Sequence, residues 1–268
     1  MEKIEGNLLI IGGAEDKEKG CTILKEFVKL AEEGREAKIV IMPTAAEKSD
    51  SVGRMYSDIF KDLGIRDVEV LKIDSRADGF SKVAQRTIEE ATGIFFTGGD
   101  QLKITSLLGG TPVDFSLQKA YKKGVVIAGT SAGAAAMSAT MIIGGNGDST
   151  PQMDILNMAP GMGLVNQVVI DQHFAQRGRL GRLISAVAQN PYILGIGIDE
   201  DTAILVDAQA NLKVIGSQTV TIVDGFNSTY TNVSELKPKQ ALAITDMVVH
   251  ILPHGYRFDL KNRKPITD

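Results

Sequence analysis

The chain has 268 residues, of which 43% are hydrophobic and 23% charged, values typical of a globular protein with a sizeable core. Its net charge of −4 argues against a basic nucleic-acid-binding surface, and its one cysteine, Cys21, excludes an internal disulfide and a cysteine-rich zinc site. The first five residues lack the positive-then-apolar pattern of a signal peptide, so we expect a reducing, cytoplasmic location.

Short apolar segments alternate with amphipathic ones through the first half of the chain. Strands are predicted at residues 8–11, 38–42, 68–71, 93–97 and 125–128. Between them, apolar side chains recur at helical period, and a further helix is predicted around 113–123. This alternation predicts an α/β fold with a doubly wound, mostly parallel sheet and right-handed crossovers.

The second half of the chain does not show this regular alternation of strands and helices. Residues 144–163 are rich in Gly, Asn, Pro and Met, which predicts a long, partly irregular loop near the site. An extended run at 165–174 and a helix at 180–188 follow, and the chain is β-rich from Gly195 to a last strand at 247–252. No linker or repeat is evident, so we expect a single domain, 1–268.

One motif stands at the end of the fifth predicted strand. Gly129, Ser131 and Gly133 have the spacing of a nucleophile elbow, G-x-S-x-G, which presents a serine hydroxyl at a tight strand-to-helix turn. Two alternatives exist. The charge-free stretch 124–147 is long enough for a membrane span, but polar residues interrupt it. The motif is also compatible with a plain glycine-rich turn.

Other loops are expected to meet this serine. In parallel sheets, ligands bind beyond the carboxyl ends of the strands. Besides Ser131, those ends carry Gly12-Gly13, Pro43-Thr44 and the run 98–101. The backbone N–H groups of Ala132 and Gly99 are the candidate oxyanion-hole donors.

Three histidines are available as a base for Ser131: His173, His250 and His254. His173 ends an extended run, where side chains project into an α/β site. His250 and His254 are four residues apart in a stretch that reads as strand rather than helix, with Pro253 between them, which argues against a metal pair. We therefore favour His173 as the base and predict no metal and no cofactor.

A carboxylate should orient that imidazole. Asp199, Glu200 and Asp201 follow a buried strand. Period-two alternation sets Glu200 apart from the two aspartates, and we favour Glu200, although a turn that begins at Asp199 would break the alternation.

A basic run follows the histidine, with Arg177, Arg179 and Arg182. Guanidinium groups bind carboxylates in a bidentate manner, so this run is a candidate for capture of an acidic substrate. The alternative is a solvated basic helix face. The residues alone give no clear choice of partner for a cationic group on the substrate, and Asp171 is our hypothesis for it.

Taken together, these segments resemble the cyanophycinase family, serine peptidases related to peptidase E with a fold similar to class I glutamine amidotransferases. The resemblance rests on Gly129-Thr-Ser-Ala-Gly133, Asp171-Gln-His-Phe174, the arginine run, Gly98-Gly-Asp-Gln101 and Ile198-Asp-Glu-Asp-Thr-Ala203. It implies a homodimer that hydrolyses cyanophycin, a polyaspartate with arginine amide-linked to its side chains, to β-Asp-Arg dipeptides. It also implies a triad of Ser131, His173 and Glu200, and a substrate pocket lined by Gln101, Asp171, Gln172, Arg177, Arg179 and Arg182.

Three alternatives stay open at this point. The first is a peptidase E-like aspartyl dipeptidase. The second is an esterase with the order serine, acid, histidine, using Asp207 and either His250 or His254. The third is a non-catalytic binding module on the same fold. Dinucleotide binding is disfavoured because the run 10–15 lacks G-x-G-x-x-G.

Overall fold

The computed structural model describes residues 6–145, 150–152 and 156–267, so the first five residues and parts of the segment 144–163 lie outside the described residues. The N-terminal half forms five parallel strands in the order β1-β5-β4-β2-β3. Their bounds are β1 (Leu8–Ile11), β2 (Lys38–Met42), β3 (Asp67–Val70), β4 (Gly93–Phe96) and β5 (Val126–Thr130). All five predicted strands are present.

Helices cover both faces of this parallel unit. They are α1 (Thr22–Glu32), α2 (Ser49–Asp62), α3 (Lys82–Glu90), α4 (Gln101–Leu108) and α5 (Pro112–Lys122). Alternate residues of each strand enter two separate apolar clusters. Ile10 and Phe96 lie in the cluster that includes residues of α3 and α5, while Ile11 and Phe95 lie in the one that includes residues of α1 and α2. Strands buried on both faces explain the continuous apolar runs in the sequence.

The sheet as a whole is mixed, which corrects the prediction of a mostly parallel sheet. Four antiparallel strands extend it beyond β1, giving the order β15-β14-β11-β10-β1-β5-β4-β2-β3. They are β10 (Thr202–Val206), β11 (Asn211–Gly216), β14 (Arg257–Asp259) and β15 (Lys264–Ile266). The predicted last strand is therefore followed by two more, which were missed because strands of three residues carry little periodic signal.

A second sheet of four strands packs beside the first, in the order β13-β12-β9-β8. It contains β8 (Val168–Gln172), β9 (Leu194–Ile198), β12 (Thr219–Asp224) and β13 (Val248–Pro253), with β8 and β9 parallel. Helix α7 (Leu180–Gln189) connects β8 to β9 and packs Leu183 and Val187 against Gly195.

The helix after the serine is short, α6 (Ala132–Ala135), and a hairpin follows it. Strands β6 (Thr140–Gly145) and β7 (Leu156–Pro160) pair antiparallel, which corrects the prediction of an irregular loop over 144–163 at both of its ends. Within the described ranges, no helix is long and apolar enough to cross a membrane.

Candidate active site

Ser131 lies between β5 and α6 with a strained backbone, φ 53° and ψ −109°. This conformation is costly for a residue with a Cβ and has to be maintained by its surroundings. The neighbouring glycines allow the close packing that maintains it. A Cβ on Gly129 would lie 2.6 Å from the backbone of Gly133, and a Cβ on Gly133 would lie 2.6 Å from the carbonyl oxygen of Phe96. The G-x-S-x-G spacing thus reflects backbone contacts on both sides of the serine.

The side chains of Ser131, His173 and Glu200 form a continuous hydrogen-bonded chain. Ser131 Oγ lies 2.9 Å from His173 Nε2, and His173 Nδ1 lies 2.6 Å from Glu200 Oε1. Because a carboxylate can only accept, Nδ1 carries the proton of the neutral ring and Nε2 is free to accept from the serine. The arrangement has the connectivity of a nucleophile, a base and an orienting acid.

The loop after β1 contacts both the backbone and the ring of His173. It has a left-handed backbone (φ 48°), and its N–H donates to the carbonyl of Gly12 at 2.7 Å. Its ring lies directly on Gly13, where a Cβ would be 2.4 Å from the imidazole Cε1. Glycine at position 13 is therefore required by the packing of the imidazole.

Burial lowers the pKa of His173 below its ordinary value. The hydrogen bond that His173 donates to Glu200 opposes this change in pKa, and the positive charge of Arg177 reinforces it. A lowered pKa keeps the ring neutral, and thus able to accept a proton, at pH values where a free histidine is protonated.

The three adjacent acids have different roles. Strand β9 ends at Ile198, so Glu200 lies in a turn and reaches His173 from there rather than through strand alternation. Asp199 is buried and accepts from Ala175 N–H at 3.0 Å and from the Thr219 hydroxyl at 2.8 Å. The preference for Glu200 agrees with the contact, but the reason given for it from the sequence was wrong.

The loop after β4 lies beside the serine. A Cβ on Gly98 would be 3.3 Å from Ser131 Cβ, and the next residue, Gly99, packs against the carbonyl of Ala45. Asp100 then caps α4 by accepting from Leu102 N–H at 2.8 Å. Ala132 follows Ser131 directly in the chain and Gly99 follows Gly98, and an oxyanion hole formed by their N–H groups stays a prediction.

Asp171 belongs to a buried ion cluster. Its carboxylate is held by Arg182 through Nε at 2.7 Å and through Nη2, and by Arg179 at 3.2 Å. Arg179 also donates to the Gln172 carbonyl, and Arg182 donates to the Gly145 carbonyl at 3.1 Å. Burial lowers the pKa of Arg179 to about 10, with the nearby Asp171 opposing that change, so Arg179 stays protonated at neutral pH.

This cluster differs from the sequence prediction. Asp171 is 1% exposed, and the three groups satisfy one another rather than facing a substrate. The predicted capture of a carboxylate by Arg179 and Arg182, and of a cation by Asp171, therefore does not match their position. The sequence pattern does not predict this ion cluster, because an aspartate on β8 and two arginines near α7 meet only after the chain folds back.

The remaining predicted pocket residues have separate positions. Gln172 lies next to the serine, with its Oε1 3.5 Å from Ser131 Oγ. Arg177 is exposed on the side of His173. Gln101 is half-buried and its amide donates to the carbonyl of Ile142 at 2.7 Å, which ties α4 to the β6–β7 hairpin.

The residues of the esterase alternative lie elsewhere. His254 Nδ1 accepts from Gly216 N–H, His250 packs on the ring of Phe258, and Asp207 closes the turn into Asn211. In the part of the chain that the structure describes, no group of three or more His, Cys, Asp or Glu side chains could hold a metal ion.

One buried acid beside the site was not predicted. Glu15 is 3% exposed and accepts from the hydroxyls of Tyr56 at 2.5 Å and Thr130 at 2.6 Å, and it pairs with Lys17 at 3.0 Å. Thr130 immediately precedes Ser131, so this network anchors the strand end that presents the serine. The sequence carried no signal for it, since a loop glutamate is usually solvated.

Comparison with known proteins defines the class. The model of peptidase family S51 matches residues 8–214, and the chain belongs to that family. The protein is therefore an enzyme, a serine peptidase.

Curated relatives narrow this further, since they carry the name cyanophycinase. The chain is 41% identical over 265 residues to that of Geminocystis herdmanii, covering 98% of this chain and 97% of the relative. It is 42% identical over 257 residues to that of a Nostoc species, covering 96% and 86%. The resemblance stated from the motifs is confirmed.

A solved peptidase from an acI-B1 actinobacterium superposes with a TM-score of 0.68 at 20% identity, covering 93% of this chain and 99% of that one. This likeness supports the mixed α/β fold.

Proposed function

We propose that this protein is a serine-type exopeptidase that hydrolyses cyanophycin to β-Asp-Arg dipeptides through an acyl-enzyme. The observation that carries the proposal is the chain of contacts from Ser131 Oγ to His173 Nε2 (2.9 Å) and from His173 Nδ1 to Glu200 (2.6 Å). The cyanophycinase relatives, which match nearly the whole chain, support the choice of substrate.

In the first half-reaction, His173 Nε2 takes the hydroxyl proton as Ser131 Oγ attacks the scissile carbonyl. The Oγ–C bond forms and the carbonyl oxygen becomes an oxyanion, stabilised by the N–H groups of Gly99 and Ala132. The C–N bond then breaks, and the proton on His173 passes to the leaving amine. Glu200 holds the ring in the required tautomer and stabilises its charged form.

In the second half-reaction, water replaces the amine. His173 takes a proton from the water as its oxygen attacks the acyl carbon, and the ester bond to Ser131 Oγ breaks. The proton returns to the serine, and a free carboxylate leaves as part of the dipeptide.

The surrounding side chains have two kinds of role in this proposal. Arg177 and Gln172 contact the substrate, since one is exposed beside His173 and the other lies at Ser131. Asp171, Arg179 and Arg182 are positioning residues, because their ion cluster holds the Gln172 backbone directly before His173. A homodimer completes the proposal on the family resemblance alone, whereas a single domain over 1–268 and a cytoplasmic location stay proposals from the sequence pattern.

The test is the clearing of insoluble cyanophycin by the purified protein, with the soluble product identified by mass spectrometry. Ordinary Asp-X dipeptides are assayed in parallel. We expect β-Asp-Arg from the polymer and little turnover of Asp-X. Rapid cleavage of Asp-X with an intact polymer would instead identify an aspartyl dipeptidase.

A further inference from the structure

A cleft of about 260 Å³ lies beside the active site and takes no part in the triad. It is bordered by the loop after β2, the loop after β3 and helix α4. Three charged side chains line it: Glu47, Asp74 and Lys103. All three are exposed, and none has a side-chain hydrogen bond or ion pair within the described ranges of the chain.

The floor of the cleft contains an unsatisfied polar atom. Thr44 is 4% exposed and lines the cleft, and its hydroxyl has no hydrogen-bond partner among the residues that the structure describes. A buried hydroxyl without a partner carries a free-energy penalty. A ligand that entered the cleft with a polar group would remove that penalty.

The cleft is adjacent to the candidate oxyanion loop. The strands lie in the order β5-β4-β2-β3, so the ends of β5, β4 and β2 bring Ser131, Gly99 and Thr44 into one row. The N–H of Asp100 donates to the carbonyl of Ala45 at 2.9 Å, which joins the second loop of this row to the third. Two strand spacings separate Ser131 from Thr44, a distance of about 10 Å.

The substrate of the proposed function has groups that match this cleft. In a β-Asp-Arg unit the arginine amine forms the amide, so each unit carries a free carboxylate and a guanidinium. Ten covalent bonds separate the scissile carbonyl carbon from the guanidinium carbon of the same unit. An extended chain of that length reaches about 12 Å, enough to span two strand spacings.

We propose that this cleft is the subsite for the arginyl group of the unit that carries the scissile carbonyl. Glu47 and Asp74 accept hydrogen bonds from the guanidinium, Lys103 binds the arginyl carboxylate, and the Thr44 hydroxyl accepts a guanidinium N–H. This assignment rests on the proposed function and replaces Asp171 as the partner of the substrate cation.

The test compares oligomers of β-Asp-Arg with oligomers in which citrulline, the uncharged isostere, replaces arginine. For the E47Q/D74N double variant we expect the ratio of kcat/KM on arginine to that on citrulline to fall by about tenfold to a hundredfold, because two charge-assisted contacts are lost. A matched control, D58N/E36Q, removes two exposed charges outside the cleft and should leave the ratio as in the wild type. An unchanged ratio in E47Q/D74N, with normal turnover of the polymer, would overturn the proposal.

Binding separates this proposal from the proposed reaction. The dipeptide β-Asp-Arg is titrated calorimetrically into the Ser131→Ala protein with and without Lys103→Met. We expect Lys103→Met to weaken this binding and to have no effect on β-Asp-argininamide, which lacks the carboxylate. If wild-type protein fails to cleave the polymer while binding of the dipeptide still depends on Lys103, the reaction is wrong and the subsite stands. If Lys103→Met weakens both ligands equally, the carboxylate contact is overturned.

Discussion

Two groups of polar side chains meet at the end of β8, and they are held in different ways. Asp171 points to one side of the strand, where Arg179 and Arg182 enclose its carboxylate. Gln172 and His173 follow, and their side chains reach Ser131. One group is sealed from solvent, with Asp171 1% exposed, whereas the other ends at Glu200, whose side chain is 36% exposed.

The buried ion cluster supports the fold, whereas the partly exposed group around Ser131 carries the proposed chemistry. A buried ion cluster tolerates no loss of a partner, because the remaining charge is left unpaired in a low-dielectric interior. The hydrogen-bonded side chains of Ser131, His173 and Glu200 are partly exposed, so a proton can move between them and a substrate can reach Ser131. We therefore expect substitutions in the sealed group to change stability first, and substitutions in the open group to change the rate first.

The largest effect is expected from Ser131→Ala. Removing the nucleophile should lower kcat on cyanophycin by about three to six orders of magnitude while the unfolding midpoint stays near that of the wild type. A discontinuous assay of dipeptide release measures kcat, and thermal denaturation measures the unfolding midpoint. Ser51→Ala, an exposed serine on α2, is the control and should behave as the wild type. Near-normal turnover by Ser131→Ala would end the proposed mechanism.

Glu200→Gln should come next, with kcat lower by about two to four orders of magnitude, because the amide no longer stabilises the imidazolium. Glu200 raises the pKa of His173, so its loss should also shift the acidic limb of the kcat/KM profile to lower pH. The full pH profile of the residual activity measures both. An acidic limb that moved to higher pH would contradict the contact.

Asp171→Asn tests the sealed group. The two arginines would remain buried without their counter-charge, and we expect a loss of about 3–5 kcal/mol in the free energy of unfolding. Denaturant titration followed by circular dichroism gives this value. Asp58→Asn, which removes an exposed carboxylate, is the control and should leave the midpoint in place. A midpoint unchanged in both would mean that the cluster contributes no support.

The smallest shift of the pH profile is expected from Arg177→Gln, which should also raise KM because Arg177 contacts the substrate in the proposed function. The positive charge of Arg177 lowers the pKa of His173, so its removal should raise that pKa and move the acidic limb of kcat/KM to higher pH. This is opposite in sign to the shift expected for Glu200→Gln. Since Arg177 is exposed, its substitution should leave the unfolding midpoint unchanged. Shifts of the same sign in both variants would refute this electrostatic account.

Much of the site could be predicted from the sequence because its signals are local. The glycines around Ser131 mark a backbone turn that few other residues can make, and with only three histidines the choice of His173 needed little further information. Glu200, which the sequence favoured, does contact His173, but it does so from the turn after β9 rather than through strand alternation. The parallel strands could also be predicted from the sequence, since strands buried on both faces are continuous apolar runs.

The sequence by itself thus determined the five parallel strands, the serine turn and the short list of partners for it, because each depends on residues close together in the chain. Only the tertiary structure decided that β10, β11, β14 and β15 extend the same sheet, that Asp171 is enclosed by two arginines, and that Thr44 faces a charged cleft next to Gly99. The physical reason is the range of the interactions. Backbone turns and strand burial depend on residues that are neighbours in the sequence. Ion pairs and clefts form between segments that meet only when the chain has folded.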